Sequence, residues 1–216
     1  MVANIHMKKI DITRWGRKEH FDFFQNRARP CVCVSSIVNV ENLIRYRKAT
    51  KTRFSDCLYY SAMYASNLIR EFRYRLVDRC PVEFQVVDAA FTYIPKGKEL
   101  HSNCVAVYDD KFSIFSENIE LVRNEADKIS TLNPVGGESQ GLIYLSCLSS
   151  IFFTSVTNPW GDPWIDTVPR IIFGKVVDNI MPISVELLHS FADGRHIASF
   201  LDCVQDILAN PGSYLE

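Results

Sequence analysis

Apolar and polar positions alternate along this chain in a way that marks out short strands and amphipathic helices. Residues 17–27 carry Phe21, Phe24 and nearby apolar positions at helical spacing, a pattern for an amphipathic helix that Pro30 ends. Residues 31–40 are rich in valine and isoleucine and read as a strand, followed by a short helix over 41–48. Ser55 and Asp56 stand where they can cap a longer helix running to about Phe72. That helix would place Leu58, Ala62, Ala65 and Leu68 or Ile69 on one face. Three apolar runs, residues 84–87, 89–94 and 104–108, are separated by turn formers and suit strands of an antiparallel sheet. Residues 116–129 open on a Ser-x-x-Ile cap and have the charge pattern of a surface helix. Residues 144–154, 170–173 and 181–188 read as further strands. The last helix starts at Asp193 or Gly194, with Ile197, Phe200, Leu201, Val204, Ile207 and Leu208 on one stripe, and Asn210-Pro211-Gly212 stops it.

Helices and strands are interspersed without regular βαβ alternation. The pattern predicts the α+β class, a mostly antiparallel or mixed sheet covered by helices. No repeat, low-complexity tract or Gly/Ser/Pro-rich linker divides the chain, so residues 1–216 read as a single domain.

Composition narrows the function classes. At 47% hydrophobic and 23% charged the chain is ordinary for a soluble globular protein. Its 24 basic and 25 acidic residues balance to a net charge of -1, which gives no electrostatic reason to expect nucleic acid or an anionic membrane as partner. Seven cysteines form no CxxC pair and sit mostly in apolar runs such as Cys31-Val32-Cys33-Val34, so they read as reduced, packed thiols of a cytoplasmic protein. Met1 to Lys9 has no signal-peptide pattern, and the apolar stretch 142–156 is interrupted by five serine or threonine residues, too broken to span a membrane. Five scattered histidines without a carboxylate at ligand spacing argue against a metal site.

The segment that carries chemistry is His189-Ser190-Phe191-Ala192-Asp193-Gly194-Arg195-His196, a histidine at the end of an apolar strand followed by Asp-Gly before a helix. By itself it also reads as a satisfied histidine, a helix N-cap at Asp193 and a turn glycine. Near the N-terminus stands Trp15-Gly16-Arg17-Lys18-Glu19-His20-Phe21, with Leu145-Ser146 and Phe173-Gly174-Lys175 between the two. In this order the segments resemble the chloramphenicol acetyltransferase family, whose members begin with W-x-R-K-E-H-F and end with H-x-x-x-D-G-x-H. The resemblance runs over nearly the whole chain.

It implies an acetyl-CoA-dependent O-acetyltransferase of the CoA-dependent acyltransferase fold. His189 would be the general base for an acceptor hydroxyl, chemistry suited to a neutral imidazole near pH 7. Ser146 would donate to the oxyanion. Asp193 would pair with Arg17 and buttress the site rather than relay protons. The resemblance also implies a homotrimer with its sites between subunits, Phe23, Phe24 and Cys31 lining the acceptor pocket, and Lys175 beside CoA. By themselves Phe23, Phe24 and Cys31 are equally core packing, Lys175 a solvated lysine, and His20 and His196 closers of structural hydrogen bonds; His6 and His101 have no evident partner.

The chain departs from the family pattern at several points. Leu188 stands where a second histidine usually precedes the base, Arg195 replaces an aromatic, and Ser146-Cys147-Leu148-Ser149-Ser150 replaces S-A-x-P-W. The segment Thr157-Asn158-Pro159-Trp160-Gly161-Asp162-Pro163-Trp164 is also unusual. These differences leave the acceptor open between chloramphenicol and another hydroxyl compound. Two other readings stand beside the enzyme: an oligomeric binding protein on the same scaffold, and a transferase acting on a carrier thiol.

Overall fold

A computed structural model describes residues 7–216. His6 and most of the segment tested for a signal peptide lie outside them. The chain runs β1 (Met7–Lys9), α1 (Lys18–Gln25), β2 (Cys31–Asn39), α2 (Glu41–Thr50), α3 (Phe54–Leu68), a 3-10 turn (Arg70–Arg73), β3 (Tyr74–Val77), β4 (Cys80–Phe84), β5 (Asp88–Tyr93) and β6 (Ser102–Ala106). There follow α4 (Phe112–Lys128), β7 (Leu142–Cys147), β8 (Arg170–Phe173), β9 (Ile180–Leu188), α5 (Gly194–Ala209) and α6 (Pro211–Tyr214).

The main sheet is six-stranded and mixed, in the order β2-β9-β8-β7-β5-β6. β7 is parallel to both neighbours, and the other pairs are antiparallel. A small antiparallel sheet, β1-β4-β3, is not strand-paired with it but touches it where Arg75 of β3 donates to the Leu142 carbonyl of β7. This is the α+β class that the pattern predicts, with two parallel pairs inside the main sheet.

Side chains alternate across a strand, and here the two faces differ sharply. One face, with Ala89, Phe91, Ile143, Leu145, Ile171, Phe173, Ile183, Val185 and Leu187, packs into the main core with α3 and α5. The other, with Ala90, Thr92, Tyr144, Ser146, Arg170 and Ile172, lines a cleft and carries no helix among the described residues.

Several boundaries differ from the sequence pattern. Ser55 and Asp56 do not cap α3, whose N-cap is Arg53 with no side-chain cap. Asp56 is instead buried and bonded to Arg123 of α4 at 2.6 Å. Leu68 is 65% exposed, because α3 ends at that residue and leaves the core. α4 begins at Phe112 rather than Ser116, since Phe112 and Phe115 are apolar enough to bury the extra turn. The run 84–87 is the end of β4 and a bend, not a strand of the main sheet. β7 stops at Cys147 rather than 154, where the chain turns and the Ile151 carbonyl accepts from the Lys175 amide.

The β3–β4 hairpin has no apolar alternation to announce it, because Arg75, Asp78, Arg79 and Glu83 interrupt it. Asp78 and Arg79 turn it with φ of 51° and 59°, a left-handed pair that sequence assigns first to glycine or asparagine. Arg75 is fully buried, and four carbonyls take its hydrogen bonds. No helix among the described residues is long and apolar enough to cross a membrane.

Candidate active site

The turn from β9 into α5 and the start of α1 meet in one aromatic cluster. Phe21, Tyr74, Leu188 and Phe191 are buried there, with Trp15, Trp160 and Trp164 against them. Trp15 packs on Tyr74 at 5.4 Å and on Phe21 at 5.7 Å. That anchorage fixes the residue two positions on, Arg17, whose side chain is only 15% exposed.

Arg17 forks onto Asp193. Nη1 donates to Oδ2 at 2.7 Å and Nη2 to Oδ1 at 3.0 Å. The same guanidinium reaches the carbonyls of His189 at 3.3 Å and Ser190 at 3.4 Å, so one side chain ties both ends of the turn. Arg17 holds the Asp193 carboxyl at about 2, well below the usual carboxylate range, and it stays ionised. The Asp193 backbone N–H in turn donates to His196 Nδ1 at 2.9 Å, so His196 closes a structural bond. His20 does not. It is exposed on the outer side of α1 and makes no side-chain hydrogen bond among the described residues.

His189 is placed by three contacts. Its amide donates to the Pro30 carbonyl at 2.8 Å, and Phe24 stacks on the imidazole at 3.9 Å and 14°. Nδ1 lies 3.0 Å from the Ala192 carbonyl oxygen, an acceptor only. The proton therefore belongs on Nδ1 and the lone pair on Nε2. Gln25, which the sequence pattern does not single out, is buried beneath this turn. It accepts from Ser190 Oγ at 2.8 Å and donates to the Pro163 carbonyl at 2.7 Å, joining the tryptophan-rich loop to the histidine turn.

Ser146 is elsewhere. It pairs with Ile172, and Ile172 with Ser184, so it lies two strands from β9 and level with a residue five positions before His189. Strand spacings put the two on the order of 15–20 Å apart within one chain. Ser146 lines a cleft of about 710 Å³ on the helix-free face with Thr92, Asn103, Tyr144, Asn158, Arg170 and Ile172. Thr92 Oγ1 is 3.2 Å from Ser146 Oγ.

The remaining predicted positions divide. Cys31, opposite Leu188 at the start of β2, sits against the aromatic cluster. Burial, then the negative charge of Glu186, push its thiol up to about 12. Phe23 is 55% exposed, edge-on to Phe24, with the Arg27 guanidinium 4.0 Å over its ring. Lys175 is exposed and free of ion pairs among the described residues. It follows β8 by two residues, at the end of the sheet opposite His189. No cluster of three metal-ligating side chains occurs among the described residues.

Comparison with known proteins places this geometry. Residues 5–205 match the family described as chloramphenicol acetyltransferase. A chloramphenicol acetyltransferase of Clostridium perfringens is 27% identical over 213 residues, covering 95% of this chain and 96% of that protein. A solved chloramphenicol acetyltransferase superposes with a TM-score of 0.80 at 27% identity, over 95% of this chain and 100% of that one. A dihydrolipoamide acetyltransferase of Azotobacter vinelandii has a TM-score of 0.67 at 17% identity, covering 91% and 88%, and shares the fold.

Proposed function

This chain belongs to the chloramphenicol acetyltransferase family, and we propose that it moves an acetyl group from acetyl-CoA to an acceptor hydroxyl, with His189 as the general base. The observation that carries this is the 3.0 Å contact of His189 Nδ1 with the Ala192 carbonyl, which leaves Nε2 as a base. Nε2 takes the hydroxyl proton as the acceptor oxygen bonds to the thioester carbonyl carbon. Ser146 donates a hydrogen bond to the oxyanion that develops. The carbon–sulfur bond then breaks, and His189 returns the proton to the departing CoA thiolate. Asp193 and Arg17 stay charged throughout and hold the turn.

Within one chain Ser146 is too far from His189 to share this chemistry, which supports a site shared between two copies. The helix-free sheet face that carries Ser146 is the surface available for a neighbour, and a homotrimer brings three such sites together. In that assembly Lys175, an uncommitted cation, suits a CoA phosphate, and Phe23, Phe24 and Cys31 border the acceptor. A cytoplasmic location, where acetyl-CoA is made, fits seven free thiols.

A second reading concerns the acceptor alone. Asn103, Tyr144, Asn158 and Arg170 give the cleft polar walls, which suits an acceptor with hydrogen-bonding groups beside the reacting hydroxyl, whether chloramphenicol or another hydroxyl compound. The deciding assay is acetyl-CoA consumption with chloramphenicol and a panel of hydroxyl acceptors. Turnover with any of them supports the transferase. No turnover with any, together with no calorimetric binding of acetyl-CoA, would leave the oligomeric binding protein as the function.

A further inference from the structure

We propose that Thr92 is the positioning residue that aims the Ser146 hydroxyl proton into the cleft, an inference that rests on the oxyanion role proposed for Ser146. β5 and β7 are parallel neighbours with Phe91 opposite Leu145, which sets Thr92 level with Ser146 on the helix-free face. Their hydroxyl oxygens are 3.2 Å apart. On the other side of Ser146 stands Ile172, whose side chain has no hydrogen-bonding group to offer. Among the described residues Thr92 alone bonds the Ser146 side chain.

The chemistry of the pair gives that single contact its meaning. A serine hydroxyl has one proton and two lone pairs, and it rotates freely unless a partner fixes it. Donation to an oxyanion is effective when the donor is already oriented before charge develops. When Thr92 donates to Ser146 Oγ, it occupies a serine lone pair, leaves the serine proton to point into the cleft and polarises that O–H further. Threonine suits the task because its branched Cβ restricts χ1, so the orienting group is stiffer than the group it orients. The contact joins two strands of the rigid main sheet and leaves no loop motion to blur the direction.

The test is a double-mutant cycle on the full-length assembled protein. Acetyl-CoA consumption is measured with whichever acceptor, chloramphenicol or a member of the hydroxyl panel, the unaltered protein acetylates fastest. Thr92→Val keeps the shape of the side chain and removes the hydroxyl. It lowers kcat by about tenfold with little change in either KM, against a loss of about a hundredfold or more for Ser146→Ala. Thr92→Ser recovers most of the rate. In the Ser146→Ala background Thr92→Val costs less than about twofold, because there is no serine left to orient. An equal loss in both backgrounds, or no loss in either, overturns the role of Thr92 alone. Full kcat in Ser146→Ala overturns the oxyanion reading, and the role of Thr92 falls with it.

Discussion

Arg17 and Asp193 are 176 residues apart in sequence, yet they form a two-point ion pair at 2.7 and 3.0 Å that closes the turn carrying His189. The aspartate thereby keeps its charge down to about pH 2. A carboxyl depressed in the folded state stabilises the fold wherever it is ionised, and that contribution disappears as pH falls through its folded value. Because Asp193 is about one-third exposed (34%), the contribution is about 1–2 kcal/mol rather than the buried-pair figure. Urea unfolding of the natural protein and of Asp193→Asn is expected to differ by that amount above about pH 4 and to converge between there and about pH 2. A constant difference across that window would mean that the pair is not the cause.

His189→Ala is expected to lower kcat by about a thousandfold or more while circular dichroism and sedimentation stay unchanged, since the ring is partly exposed and replaceable without a buried void. Phe24→Leu, which removes the stacked ring and keeps the base, is expected to cost several-fold. Retention of full activity by His189→Ala would end the base assignment.

Since Ser146 and His189 lie far apart in one chain, two inactive variants are expected to rescue each other. Co-refolding equal amounts of His189→Ala and Ser146→Ala leaves about a quarter of shared sites with both groups intact in a cyclic oligomer. Activity near that fraction supports the shared site. Absence of any recovery in demonstrably mixed oligomers counts against it.

Cys31 borders the histidine turn, and its raised thiol makes it a poor nucleophile. With its thiol pushed up to about 12 by burial, the thiolate fraction at pH 8 is on the order of one in ten thousand. Cys31→Ala is expected to keep kcat within about threefold, and iodoacetamide is expected to leave Cys31 unmodified, as peptide mass mapping would show. Rapid alkylation of Cys31 with loss of activity would contradict this.

Asp56 and Arg123 form a pair 2.6 Å apart with side chains 3% and 5% exposed. Asp56→Ala strands a buried guanidinium and is expected to lower stability by about 3–5 kcal/mol, measured by denaturant unfolding. Replacing both residues with apolar ones is expected to regain much of that loss. Equal losses in the single and double variants would show that the loss is the net worth of the pair and not the cost of a stranded charge.

What the sequence by itself determined is what repeats locally. Valine-rich β2 and the stripe of α5 announce themselves because burial of one face imposes a period of 2 or 3.6, and their ends fall within a residue or two of the expected places. The family resemblance that the quoted motifs carry likewise implies the pair of Arg17 with Asp193, because both residues lie in short segments with a recognisable order. Tertiary structure decided the rest, wherever the deciding partner is distant in the chain. Asp56 reads as a cap until α4 brings Arg123 beside it. The β3–β4 hairpin follows no apolar pattern because carbonyls elsewhere in the fold satisfy Arg75. Gln25 and Thr92 are ordinary in sequence, and only the crossing of α1 beneath the histidine turn and the parallel register of β5 with β7 put their polar atoms against Ser190 and Ser146. The same register sets Ser146 two strands from His189, a separation that depends on strand order, and strand order is settled by packing rather than by any local pattern.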